Sequence, residues 1–138
     1  MSSRRRVSAA LIGLLVLVAS GALGRHALSA PSVGDRPSVV VSAAGLPVRA
    51  LSQLPPQAAR VWQLIQHGVP SPYQQDGTVF GNRERRLPPR QSGFYHEYTV
   101  PTPGEPGRGP RRLITGGAAE LYYTSDHYVS FVAVDPER

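Results

Sequence analysis

Residues 93–100 read GFYHEYTV, and the fold turns on how Glu97 is read. Phe94, His96, Tyr98 and Val100 alternate with Tyr95, Glu97 and Thr99, the period-2 pattern of a β-strand. A carboxylate is poorly placed in such a strand, because β-propensity disfavours Glu and an unpaired buried charge is costly. Glu97 therefore faces either solvent, on the wet side of a sheet, or a group that uses its charge.

Three more strand candidates follow, residues 111–115, 120–124 and 127–134, joined by PTPGEPGRGP, GGAA and SD. Upstream, VRALSQL (48–54) suits a short edge strand or entry segment. LPPQAARVWQLIQHG (54–68) carries helix signals. Pro55 and Pro56 fit the first turn, Ala58, Ala59, Trp62 and Ile65 recur at helical spacing, and Gly68 stops the helix. Trp62 reads as core, and His67 as a cation favourably placed in the last turn. Residues 69–91 are punctuated by Pro, Gly, Asn and Asp, so loops dominate there. A helix followed by an antiparallel meander is an α+β pattern, with the helix on one sheet face and the other face partly open.

The chain of 138 residues suits one domain with a modest core. It opens with Arg4, Arg5 and Arg6, then an apolar run over residues 7–23, which reads as an export signal. Cleavage near Gly24 or Ala30 is expected, with an uncleaved signal anchor as the alternative; the run is near the lower limit for a spanning helix. Residues 1–24 are thus a signal peptide or anchor, residues 25–46 a flexible linker rich in Ser, Ala, Pro and Gly, and residues 47–138 the folded domain. The expected location is extracellular, with no stable membrane association once the signal is cleaved.

There is no cysteine, which excludes disulfides, thiolate chemistry and zinc–thiolate sites. Nor do the nine acids and four histidines fall at metal-ligand spacing, so neither a metal nor another cofactor is expected. All fifteen basic residues are arginines; a chain starting at Arg25 keeps twelve of them against nine acids, a net +3. They cluster at Arg83, Arg85, Arg86 and Arg90 and again at Arg108, Arg111 and Arg112, which suits a phosphate-rich partner.

If successive strands pair as neighbours, Glu97, Arg112 and His127 share the open face. Taken singly they read as a wet-face charge, a surface arginine and a strand-start histidine. Together they supply an in-line phosphodiester displacement without a metal: a proton acceptor, a charge stabiliser and a proton donor.

Five segments, LSQLPPQA, PYQQDGTVFGNRE, GFYHEYTV, RGPRRLITGG and SDHYVSF, resemble the small secreted guanyl-specific ribonucleases of bacteria in order and spacing. The resemblance, to the barnase-like family and closest to its actinobacterial type, spans residues 50–134. It implies one helix packed on a five-stranded antiparallel sheet, and cleavage of single-stranded RNA after guanosine through a 2′,3′-cyclic phosphate. By that resemblance Glu97 is the general base, His127 the general acid, Arg108 and Arg112 the phosphate-binding pair, and Tyr128 a further phosphate contact. Arg108 and Arg112 are expected to hold Glu97 ionised, and Glu97 to support protonation of His127. Glu84 matches the carboxylate that reads guanine, Asn82 and Arg83 supply backbone amides to the base, and Phe80 an aromatic wall. His96, beside Glu97, points to the opposite face and reads as structural.

The chain departs from the family in lacking cysteine, in Gly81 where a larger polar residue is common, in the basic Arg85, Arg86 and Arg90, and in Pro110. The resemblance implies a monomer with single-stranded RNA as partner and leaves open a proteinaceous inhibitor. The competing reading is a non-enzymatic RNA- or nucleotide-binding module on a degenerate ribonuclease scaffold.

Overall fold

The computed structural model describes residue 42 and residues 44–138. The expected export signal and most of the expected linker lie outside the described residues. Leu46, at the linker's end, packs against the sheet.

Strand β1 (Val48–Ala50) leads through a 3-10 turn (Leu51–Gln53) into helix α1 (Pro56–Gln66). The chain then runs through a long loop to β2 (Tyr95–Thr99), β3 (Arg112–Gly116), β4 (Glu120–Thr124) and β5 (Val132–Asp135). The strands form one five-stranded sheet in the order β1-β5-β4-β3-β2. Three of its pairings are antiparallel, but β1 runs parallel to β5, so the sheet is mixed rather than antiparallel throughout. Alternation specifies which face a side chain takes, not the direction of a partner from the far end of the chain.

Pro56 occupies the first helical turn, as its missing N–H allows. At the other end Gly68, at φ +63°, donates to the Ile65 carbonyl while Val69 donates to that of Leu64. That is a Schellman stop, and it needs the left-handed conformation glycine adopts freely. His67 Nδ1 lies 2.7 Å from the Gln63 carbonyl, which also accepts from the His67 amide at 3.1 Å. The apolar stripe of α1, including Ala58, Trp62 and Ile65, packs on Leu113, Leu121 and Tyr123 of the sheet.

The opposite sheet face is only partly open. Leu87, Tyr95, Ile114, Tyr122 and Phe131 form a second core beneath the long loop. Residues 77–80 also bond to β2: Gly77 donates to the Glu97 carbonyl, Glu97 to that of Thr78, and Phe80 to that of Tyr95. This covers the free edge of β2, which would otherwise be open to another chain.

The last expected strand begins later than its pattern implied. Residues 125–130 form a turn, and His127 and Tyr128 have φ of +56° and +69°. Asp126 explains it. Its carboxylate accepts from Thr124 Oγ1, from the amides of Val129 and Ser130 and from Ser130 Oγ. That local network outcompetes strand pairing. The hydrogen bonds from Ser130, with those from Thr124 and Val129, outweigh the effect of burial and bring its pKa down to about 2.

Candidate active site

The register of the sheet assembles one polar face. Tyr95, Glu97 and Thr99 of β2 lie on the side opposite the helix; Glu97 stands across from Ile114, and Thr99 from Arg112, which faces Thr124 of β4. His96 projects to the other side by the pleat of the strand. Glu97 thus lies on the expected face, with its side chain 14% exposed.

Two groups grip its carboxylate. Tyr128 donates its hydroxyl to Oε2 at 2.5 Å, and Arg108 donates Nη2 to Oε1 at 3.3 Å. Burial, followed by the bond to Glu97, raises the Tyr128 pKa above its ordinary value and keeps the hydroxyl a donor. The same hydroxyl oxygen accepts from Arg112 Nε at 3.1 Å, so Tyr128 bridges the carboxylate to the second arginine.

Arg112 is 3% exposed, and among the described residues no carboxylate lies within ion-pair distance of it. Its Nη1 donates instead to the carbonyls of Gly109 and Arg111, both at 2.7 Å, and its guanidinium lies 5.8 Å from the Tyr128 ring centroid. A guanidinium buried among neutral acceptors stabilises a fold poorly, but it is a prepared partner for an anion. The loop packs tightly against Thr102 at Gly109. At φ +61° any Cβ there would come within 2.6 Å of Thr102 Oγ1.

Asp76 completes the network, and sequence reasoning missed it. Its side chain, 3% exposed, accepts from the Thr99 amide at 2.8 Å and the Thr99 hydroxyl at 2.6 Å through Oδ1, and from Ser71 Oγ through Oδ2. Thr99 Oγ1 in turn accepts from Arg108 Nε at 2.9 Å. Arg108 is thereby fixed between Asp76, at 3.7 Å, and Glu97. The only signal was a DG dipeptide, which reads first as a turn. Thr99, in the strand's own alternation with Glu97, was the better clue.

His127 reaches this face from the turn before β5, not from a strand as expected. Its amide donates to the Pro110 carbonyl at 3.1 Å, tying the turn to the arginine loop, while its exposed ring tilts against that of Tyr128 at 5.0 Å. No side-chain hydrogen bond links the imidazole to another described residue, so it is free for a ligand.

Beside this face lies a hollow of about 130 Å³ lined by Phe80, Asn82, Arg83, Glu84 and Tyr128, all named from sequence, and by Arg86 and Phe131. Phe80 stacks on Tyr128 at 5.3 Å and meets the edge of Phe131 at 6.0 Å. Asn82 spends its side chain on the loop, accepting from the Leu87 amide and donating to the Leu87 carbonyl. Asn82 and Arg85 take φ of +45° and +52°, and Leu87 is buried as the loop's anchor. Among the described residues the amides of Asn82, Arg83 and Glu84 have no acceptor. Glu84 itself accepts from Arg86 Nε at 2.9 Å. Farther along the loop, Arg90 pairs with Glu120 and lies over the Phe94 ring. Burial works against a charged Glu120, but hydrogen bonds from Arg90 and Tyr122 outweigh it and lower its pKa.

No three His, Asp or Glu side chains gather into a metal-binding group among the described residues. A gripped carboxylate, a buried guanidinium and a free imidazole share one face, beside an aromatic hollow lined by Glu84, and such groups can accept a proton, hold an anion and donate a proton. The chain belongs to the ribonuclease family, whose model matches residues 38–135.

It is 59% identical over 85 residues to guanyl-specific ribonuclease Sa3 of Kitasatospora aureofaciens, covering 61% of this chain and 60% of that protein. Guanyl-specific ribonuclease Sa of the same organism is 56% identical over 86 residues, covering 62% of this chain and 90% of that one. Guanyl-specific ribonuclease St of Saccharopolyspora erythraea is 53% identical over 81 residues, covering 59% and 80%. The crystal structure of ribonuclease Sa2 with guanosine-2′-cyclophosphate superposes with a TM-score of 0.64 at 47% identity, over 67% of this chain and 99% of that one. Ribonuclease Sa2 in complex with mononucleotides gives 0.66 at the same identity, over 67% and 97%.

Proposed function

We propose that this protein is a guanyl-specific endoribonuclease that cleaves single-stranded RNA on the 3′ side of guanosine without a metal. Glu97 takes the proton of the ribose 2′-hydroxyl, the oxygen attacks the adjacent phosphorus, and His127 protonates the departing 5′-oxygen. A 2′,3′-cyclic phosphate results, and water opens it to a 3′-phosphate with the two proton-transfer roles exchanged. Arg108, Arg112 and the Tyr128 hydroxyl hold the phosphate as its charge shifts. Glu84 accepts from guanine N1–H and the exocyclic amine, the amides of Asn82 and Arg83 face the guanine carbonyl and N7, and Phe80 walls the base. Only an unpaired base presents that edge, which fits a single-stranded substrate.

The observation that carries this reading is Arg112, buried with its charge left to carbonyls and to the Tyr128 hydroxyl, which bridges it to the Glu97 carboxylate. The bound guanosine nucleotide of ribonuclease Sa2 supports the choice of base. For location we propose export through residues 1–24, tested by N-terminal sequencing of protein recovered from culture medium.

His127→Ala separates the enzyme from the binding module. It removes the proton donor and leaves the base slot intact, so cleavage of a guanosine-containing RNA should fall by about 10²–10⁴-fold while guanylate binding persists. A wild type that binds guanylate and leaves RNA intact would establish the binding module instead.

A further inference from the structure

The guanine slot holds a cation of its own. Arg86 Nε donates to Glu84 Oε2 at 2.9 Å, and both side chains line the same hollow as Phe80 and Tyr128. The backbone beneath them is fixed. Asn82 closes the turn through the Leu87 amide and carbonyl, and Leu87 is 2% exposed. The contact is therefore made or broken by side-chain rotation alone, and both partners are exposed enough to rotate, at 45% and 72%. The neighbouring arginines leave Glu84 to Arg86 alone. Arg90 is engaged by Glu120, and Arg83 and Arg85 form no ion pair among the described residues.

We propose that Arg86 is an internal competitor for the guanine-reading carboxylate. In the free protein its guanidinium occupies Glu84, and an incoming guanine, which offers two N–H donors to the same carboxylate, displaces it. The inference rests on the reading of Glu84 as the base-reading group. An exposed ion pair of this kind contributes about 0.2–1 kcal/mol, so its competition weakens base binding by at most about fivefold. It acts at the base and not at the phosphate.

The probe is guanosine, which is uncharged at neutral pH and carries no phosphate to engage Arg108 or Arg112. It is titrated calorimetrically into the full protein as wild type, Arg86→Gln and Glu84→Gln. Each is measured at about 0.01 M salt and at about 1 M, between which the Debye length falls from roughly 30 to 3 Å. Arg86→Gln should bind guanosine up to about fivefold more tightly than wild type at low salt, and the two should converge at high salt as screening releases the wild-type carboxylate. Equal or weaker binding by Arg86→Gln at low salt would overturn the proposal, since Arg86 would then be an organiser of the loop. If Glu84→Gln loses affinity while Arg86→Gln gains none, the competition alone is refuted. If Glu84→Gln binds guanosine as wild type does, the base is read elsewhere and both readings fall.

Discussion

On the proposed reading the sheet face and the loop around Glu84 bind two parts of one substrate, yet they are built by opposite means. Glu97, Arg108, Arg112 and Tyr128 are fixed by strand register, by burial and by a chain of hydrogen bonds that starts at Asp76. Glu84 is exposed on a loop whose backbone is held by an asparagine side chain and a buried leucine, and among the described residues it is tied only to a neighbouring arginine. Groups that meet a transition state must already be in place, because reorganisation during reaction adds to the barrier. A group that discriminates between bases needs only a binding difference, and an exposed loop supplies that at little cost to the fold.

The contrast sets the order of effects. On the sheet side Glu97→Gln keeps the side chain's shape but removes the base, and the cleavage rate should drop by about 10²–10⁴-fold. Initial rates on a guanosine-containing dinucleotide check this; a loss below tenfold would mean another group takes the proton.

Asp76→Ala cuts the same network from beneath. The amide and hydroxyl of Thr99 lose their buried acceptor, at about 1–3 kcal/mol of folding stability for each donor left unsatisfied, and Arg108 loses one of its two carboxylates. Urea unfolding should show a midpoint well below wild type. An unchanged midpoint would show that the buried carboxylate is not what holds Arg108.

On the loop side Glu84→Gln should lower the preference for guanosine by about 1–3 kcal/mol, the scale of a bidentate base contact, while the protein folds and still cleaves. Competition between guanosine- and adenosine-containing dinucleotides measures it, and a rate loss as large as that of Glu97→Gln would erase the distinction between the two regions.

The smallest effect belongs to the turn that carries His127. The pKa of Asp126 in the fold, about 2, lies below its ordinary 3.8, so its charged form is favoured in the native state. The stability it contributes is therefore present above the ordinary value and is lost as pH falls through the window from 3.8 to about 2. Asp126→Asn should be less stable than wild type near neutrality, with the gap closing across that window. A gap independent of pH would assign the turn to geometry alone.

Much of this was legible because it is local. Period-2 alternation marked β2, β3 and β4, and helical spacing with prolines before and glycine after marked α1. What was hidden depends on distant partners. The parallel pairing of β1 with β5 joins the two ends of the domain, and alternation is silent on direction. His127 looked like the start of a strand because the residues after it alternate, while the Asp126 carboxylate that claims the segment for a turn is a single side chain. Asp76 is hidden for the same reason: its partner Thr99 is 23 residues away. The motifs singled out Glu97, Arg108, Arg112, His127, Tyr128, Phe80, Asn82, Arg83 and Glu84 as candidates, but not Asp76 and Asp126, which hold some of them.

The central claim is a metal-independent, guanosine-directed transesterification, and one reaction tests it. A short RNA with a single guanosine is incubated with the purified protein in chelator, and the products are weighed by mass spectrometry over time. The account predicts one cut, 3′ of the guanosine, with a terminal 2′,3′-cyclic phosphate at early times that later gains a water to become the 3′-phosphate. Intact RNA in chelator that is cut once magnesium is added, or cuts spread over all four bases, would contradict it.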